Sequence, residues 1–271
     1  MERIMKIRKA LFFGAVFVGA TQFAAAQAVG LAEFFGQTYV QTGSSSTSFA
    51  GYYAADRVDM SGPSDPTDVE VTRPNGTVDT LVFNSTPQFL YQTGYYSSLS
   101  AFNADFGLGT YTFSGDSGTL SGTVQNNSVL WASTPPTVTN YSALQNADPT
   151  ADLDVDFTPF SADANANYAA TYIGLFDVTT NTEIEGGVFD PATTSFDILS
   201  SYLAPNQTYQ LTIDDDNRLV QPAALGFEGA TPYASYDVNT LVNFNTTPEP
   251  APIAMIAIGV LGLCVRRRTS K

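Results

Sequence analysis

The chain has no histidine and a single cysteine. Without histidine there is no Ser-His-Asp or Cys-His catalytic arrangement and no histidine-ligated metal design. The cysteine, Cys264, lies near the C-terminus inside an apolar run, where it reads as a small apolar filler. The body therefore has no disulfide and no thiol chemistry. Positive charge is also scarce: 26 acidic residues stand against 11 basic ones, a net charge of −15. Most of the bases sit at the two ends. Between Gln27 and Pro248, 24 acids face three arginines, Arg57, Arg73 and Arg218, for a net −21 with no lysine. Such a surface repels nucleic acid and anionic headgroups, and it suits divalent cations or cationic partners. The body is about 220 residues long, enough for one or two hydrophobic cores.

The front end carries Arg3, Lys6, Arg8 and Lys9, then an apolar stretch over residues 10–20. Ala24-Ala25-Ala26 and Ala26-Gln27-Ala28 are both small-x-small cleavage sites. Residues 1–26 thus read as a secretory signal peptide with cleavage around Ala24, Ala26 and Ala28.

The other end is more specific. Pro248, Glu249 and Pro250 precede an uncharged span over residues 251–265, followed by Arg266, Arg267 and Arg268. As a helix, fifteen residues reach roughly 22 Å, short of a hydrocarbon core of roughly 30 Å, so crossing needs local thinning and snorkelling arginines. The arginine run holds that end in the cytoplasm. This tail resembles the PEP-CTERM sorting signal of Gram-negative bacteria. The resemblance implies processing by an exosortase-type membrane protease and a transient inner-membrane anchor. It also implies export to the cell envelope, cell surface or extracellular matrix, often alongside exopolysaccharide. The alternative is a plain C-terminal membrane anchor.

Between the signals the sequence is rich in Thr, Ser, Tyr, Phe, Val and Gly, with turn residues roughly every eight to twelve positions. That pattern predicts an all-β fold. Strands are expected over residues 37–41, 49–54, 68–73, 77–83, 109–113, 119–124 and 128–132. Further strands are expected over 153–157, 169–178, 183–189, 196–199, 210–213 and 237–245. Pro74-Asn75-Gly76 between alternating runs is a hairpin signal. Residues 97–106 are the helix candidate, with Leu99, Phe102 and Phe106 on one face. Ser133-Thr134-Pro135-Pro136 cannot continue a central strand and marks a boundary. The expected architecture is two tandem β-sandwich domains, 27–133 and 134–247, flanked by an N-terminal signal helix and a C-terminal transmembrane helix over 248–271. Leu203-Ala204-Pro205 ahead of Tyr209 resembles the fibronectin type III pattern. Gly109-Thr110-Tyr111 resembles the Gly-x-Tyr strand of immunoglobulin-like folds. Both resemblances imply Ig- or fibronectin III-like sandwiches.

Asp152, Asp154 and Asp156 have the spacing that opens a calcium loop. Phe157 occupies the position where such a loop needs glycine, so a strand with an acidic face fits better. Asp214, Asp215, Asp216 and Asn217 read as a polar turn of hard oxygen ligands, the one metal candidate, with Ca²⁺ as the ion. Glu183 and Glu185 share one side of a strand and read as a solvated face. So acidic a chain contains many carboxylate pairs, and none singles itself out for glycoside hydrolysis. Tyr52-Tyr53 and Tyr95-Tyr96 offer rings for sugar stacking, but neighbours on a strand point to opposite faces, so each pair has one ring for the core. These readings predict no enzyme and no required cofactor. They predict an exported structural or interaction protein linked to exopolysaccharide, which binds no nucleic acid. A calcium- or carbohydrate-binding adhesin is the alternative, and a glycan-active enzyme stands behind it.

Overall fold

The computed structural model describes residues 30–59, 68–83, 88–223, 227 and 230–247. Both terminal signals lie outside the described residues, including the cleavage positions Ala24, Ala26 and Ala28 and the motif residues Pro248, Glu249, Pro250, Arg266, Arg267 and Arg268. The signal and transmembrane helices expected there lie outside them too. Among the described residues no helix is long and apolar enough to cross a membrane.

The first half contains β1 (Gly30–Gly43), β2 (Ser46–Asp59), β3 (Glu70–Thr72), β4 (Val78–Thr80), β5 (Val82–Phe83) and β6 (Gln88–Gln92). It continues through α1 (Leu99–Asp105), β7 (Gly109–Gly115) and β8 (Leu120–Asn126). The second half contains α2 (Tyr141–Leu144), β9 (Leu153–Asp156), β10 (Tyr168–Asp177), β11 (Thr182–Phe189), β12 (Ser195–Ile198), β13 (Thr208–Val220) and β14 (Thr231–Asn245). The all-β expectation holds. Alternation of buried and open positions marks β7 and β8, whereas β1 and β14 are buried along most of their length; turns such as Pro74-Asn75-Gly76, with Gly76 at φ +86° and Asn75 Oδ1 accepting the Thr77 N–H, reverse the chain.

One eight-stranded sheet, in the order β11-β10-β13-β14-β1-β2-β6-β5, runs through both halves. Its centre is a parallel pairing of β1 with β14, from Gly30 opposite Thr231 to Gln41 opposite Val242. Two smaller sheets cover one face, here called the inner face. The sheet β4-β3-β7-β8 closes a core around Leu31, Phe35, Val58, Tyr111, Phe113 and Tyr236. The pair β12-β9 closes another around Val155, Ile173, Ile198, Leu211, Val242 and Phe244. The boundary at residues 133 and 134 therefore divides the strands into two groups but does not divide the sheet. Two separate sandwiches would each leave a strand of fourteen or fifteen residues as an open edge. Pairing β1 with β14 satisfies both edges at once.

The linker is stitched to this sheet from its inner face. Residues 128–132, expected as a strand, are irregular, with Leu130 buried in the first core. Asn217 Nδ2 donates to the Leu130 carbonyl at 2.8 Å, and its Oδ1 accepts the Asp163 N–H at 2.9 Å. Gln41 clamps Val138 through both backbone groups, at 2.8 and 2.9 Å. The predicted helix is present as α1, capped by Ser98 Oγ accepting from the Ala101 N–H. Phe102 and Phe106 stack at 5.7 Å in the core, but Leu99, expected on the same face, is 41% exposed.

Both tyrosines that carried the fold resemblance make a bond of the tyrosine-corner kind. Tyr209 Oη accepts the Ala204 N–H at 2.7 Å, and Tyr111 Oη donates to the Gly107 carbonyl at 2.9 Å. The edge strand β8 is satisfied by a side chain: the Gln221 amide accepts from the Gln125 N–H at 2.8 Å and donates to its carbonyl at 2.7 Å.

Candidate functional site

The sorting tail is joined to the folded body without a spacer. Thr246 Oγ1 donates to the Ala204 carbonyl at 2.6 Å and accepts the Gln207 N–H at 3.0 Å. The Thr247 N–H donates to the Ala147 carbonyl at 2.9 Å. The next residue is Pro248. Because β1 and β14 are parallel, Thr246 and Thr247 follow β14 at the end of the sheet opposite to Gly30, where β1 begins.

Asp214, Asp215, Asp216 and Asn217 do not form a turn. They lie inside β13, between β10 and β14, and alternate between faces. Asp215 and Asn217 point inward, where Asp215 Oδ1 accepts from Thr171 Oγ1 at 3.1 Å and burial pushes its carboxyl up to about 7. Asp214 and Asp216 point outward, so the four cannot converge on one ion. The second acidic stretch behaves as expected of a strand. Asp154 and Asp156 are exposed on β9, facing Asp197 and Ser195 of β12.

The outer face of the large sheet gathers the polar groups in cross-strand rows. One row runs Tyr172, Asp214, Asn239, Thr38; the next runs Ala170, Asp216, Asp237, Gly36, Tyr53; a third runs Tyr168, Arg218, Ser235, Phe34, Ala55. Large side chains lean over glycines here. A Cβ on Gly36 would sit 1.9 Å from the Tyr53 ring, and one on Gly186 would sit 2.6 Å from Tyr172 Oη. Tyr53 Oη accepts from Asn239 Nδ2 at 3.2 Å, and its ring meets Tyr95 edge-on at 6.1 Å. Tyr52 stacks on Phe102 in the core while Tyr53 lies on the outer face, so these adjacent tyrosines separate as strand geometry requires; Tyr95 is 51% exposed.

Asp214, Asp216 and Asp237 on this face are all buried. Asp216 is neutralised: Arg218 binds its Oδ2 and the Ser235 hydroxyl reaches its Oδ1. Neither of the other two carboxylates is bound by an arginine, and Asp237 Oδ1 only shares the Ser235 hydroxyl, at 2.9 Å. Burial, then the charges of Asp216 and Asp215, raises Asp214 well above the usual carboxylate range. Burial, then Asp214 and Asp216, does the same to Asp237. Burial followed by the charges of Asp237 and Asp214 also raises Tyr53.

All three body arginines are consumed internally. Arg57 pairs with Asp59 at 3.0 Å and donates to Tyr233 Oη at 2.7 Å. Arg73 forks onto Asp79, with Nη2 to Oδ1 at 2.7 Å, and lies 3.7 Å over the Phe106 ring. Arg218 stacks on Tyr168 at 5.0 Å and on Tyr233 at 4.8 Å. No arginine or lysine among the described residues is exposed.

Sequence reasoning missed two sets of residues. Glu33 and Asp56 are buried face to face in the first core, and the only sequence signal for Glu33 is a lone acid within Leu31-Ala32-Glu33-Phe34-Phe35. Asp237, Asn239 and Thr38 joined no sequence motif, because register alone brings them beside Asp214. Among the described residues, no three His, Cys, Asp or Glu side chains converge as a metal-ligating group.

Comparison with known proteins singles out the tail. Residues 246–268 match the PEP-CTERM protein-sorting motif. That motif marks an exported, exosortase-sorted protein of the cell envelope or surface. Its first two residues, Thr246 and Thr247, are the ones tied into the body. No curated protein matches the chain. Among solved structures, the chicken CNTN1 FN1-FN3 domains are 7% identical with a TM-score of 0.27, over 72% of this chain and 62% of that one. The BSP domain of a biofilm associated protein is 14% identical with a TM-score of 0.22, over 83% and 30%. Trypsin-activated alpha-2-macroglobulin from Escherichia coli is 11% identical with a TM-score of 0.22, over 81% and 16%. The chain thus spans less than two thirds of each of these proteins, and similarities of this size carry nothing about ligand or partner.

Proposed function

We propose that the mature chain is a structural or interaction component of the bacterial surface or extracellular matrix, released from its transient anchor by exosortase and in contact with exopolysaccharide. The observation that carries this reading is the PEP-CTERM motif at residues 246–268, joined directly to the folded body. The described surface supports it. Carboxylates, hydroxyls and amides are exposed while every described arginine is held in an ion pair, a surface that stays hydrated within a polymer matrix. No catalytic role is assigned.

A second reading, a carbohydrate-binding adhesin, is favoured by the Tyr53–Tyr95 contact on the outer face beside Asn239.

The test is a mass measurement on surface-extracted protein from an exosortase-containing host and from its exosortase deletion. Loss of the tail in the parent and retention in the deletion is expected. A Pro248→Ala, Glu249→Ala, Pro250→Ala triple variant should behave like the deletion. Identical masses in both hosts would remove the sorting reading. Co-sedimentation with the host's exopolysaccharide tests the contact, and Tyr95→Ala separates the adhesin from the general matrix component: only the adhesin loses binding.

A further inference from the structure

We propose that the outer face of the large sheet holds a divalent-cation site of calcium type, built by Asp214, Asp237, Asn239 and Thr38. Asp214 stands opposite Asn239 on the neighbouring strand, and Asn239 stands opposite Thr38 on the next. Asp237 precedes Asn239 by two residues, so it shares the same face. Direct cross-strand neighbours lie about 5 Å apart at Cβ and diagonal ones about 7–8 Å, within which the side chains of Asp214, Asp237 and Asn239 can turn toward a common centre, while Thr38, two strands from Asp214, reaches the ion through a bound water.

Three of these side chains have buried oxygens with no hydrogen-bond partner: Asp214 Oδ1, Asp237 Oδ2 and Thr38 Oγ1. Their residues are 8%, 1% and 1% exposed. An unpaired carboxylate at such depth is strongly unfavourable and calls for a cation or a proton. The nearby arginine does not supply the cation, because Arg218 is committed to Asp216. Ser235 donates a single proton, which Asp216 Oδ1 and Asp237 Oδ1 must share. That leaves two carboxylates, a charge of −2, which matches one divalent ion.

The donor set is all oxygen and mixes carboxylate, amide and hydroxyl, which selects a hard cation over zinc or copper. Donors spread over three strands suit the irregular, larger coordination sphere of Ca²⁺ better than the near-octahedral demand of Mg²⁺. Water completes the shell. This site is distinct from the run Asp214 to Asn217 suggested by the sequence, since Asp215 and Asn217 face the other way. Through Asn239 it borders the Tyr53–Tyr95 contact on which the adhesin reading rests.

The experiment uses the purified full-length chain in detergent, stripped with a chelator, titrated with Tb³⁺ alone and then with Ca²⁺. Tyr53, hydrogen-bonded to Asn239, serves as the antenna for sensitised emission. The expected result is one saturable Tb³⁺ site displaced by Ca²⁺ and a higher melting temperature. Asp237→Asn should weaken binding by at least the roughly tenfold seen when even an outer partner of a metal site is lost. Thr38→Val removes only a hydroxyl without a partner, so it should fold in chelator and still bind more weakly. Asp154→Asn, on the exposed acidic strand, should bind like the parent. The proposal is overturned if the parent shows no saturable site, if Thr38→Val binds unchanged, or if Asp154→Asn loses the signal instead. Because no glycan is present, the result is read separately from the matrix function.

Discussion

Glu33 and Asp56 face each other across β1 and β2, both fully or nearly fully buried, and none of their four carboxylate oxygens receives a bond from another group. A bond between them requires a proton on one. Burial, then the charge of Asp56, raises Glu33 well above the usual range. Burial pushes Asp56 up to about 6, with Asp79 adding to the rise and Arg73 opposing it. The folded state therefore binds protons more tightly than the unfolded chain.

The sign of the pH dependence follows. With folded values above unfolded ones, stability is highest in mild acid and falls as pH rises from about 4 through 6. Asp215, raised to about 7, extends the same trend. Urea unfolding at pH 4.5 and 7.5 should show the higher midpoint at the lower pH. Glu33→Gln, whose amide can donate to Asp56, should flatten the difference; an unchanged slope would contradict the account.

Arg73 is the cation that makes the same core tolerable. It binds Asp79 through two nitrogens and caps the Phe106 ring. Arg73→Met should destabilise by about 3–5 kcal/mol, because Asp79 is left buried without its partner. Arg73→Lys should recover little of this, since a lysine cannot form the fork or the ring stack. Both effects are read from denaturant midpoints.

Gly36 and Tyr53 make a second separable pair. A methyl on Gly36 would lie 1.9 Å from the ring, so Gly36→Ala forces the tyrosine off its site. The cost should be about 1–3 kcal/mol. In a Gly36→Ala, Tyr53→Ala double variant the clash is gone, and the melting temperature should recover relative to Gly36→Ala alone.

The shared sheet predicts how the chain can be cut. Residues 30–133 made alone would leave β1 without β14, and residues 134–247 would leave β14 without β1. Neither piece should give a cooperative thermal transition. Mixing or co-expressing both should restore one, through the pairing of Gly30–Gly43 with Thr231–Asn245. Two independently folding pieces would refute the single-sheet description.

By itself the sequence determined the properties that are local or summed. The Pro-Glu-Pro tail is read from contiguous residues, the acidity from a count, and the strands and the helix at Leu99–Asp105 from period and turn chemistry. Tertiary structure decided the rest. A run of Asp and Asn looks like a turn from its composition, yet Asp214 to Asn217 continue β13, because β10 and β14 offer a ladder on both sides and sort alternate side chains to opposite faces. Two halves with their own strands look like two domains, yet β1 and β14, about 200 positions apart, complete one another's edges. Register, a non-local quantity, placed Thr38, Asp214, Asp237 and Asn239 side by side and set Glu33 against Asp56. No window of sequence contains those pairs, so their chemistry becomes visible only when the strands are aligned.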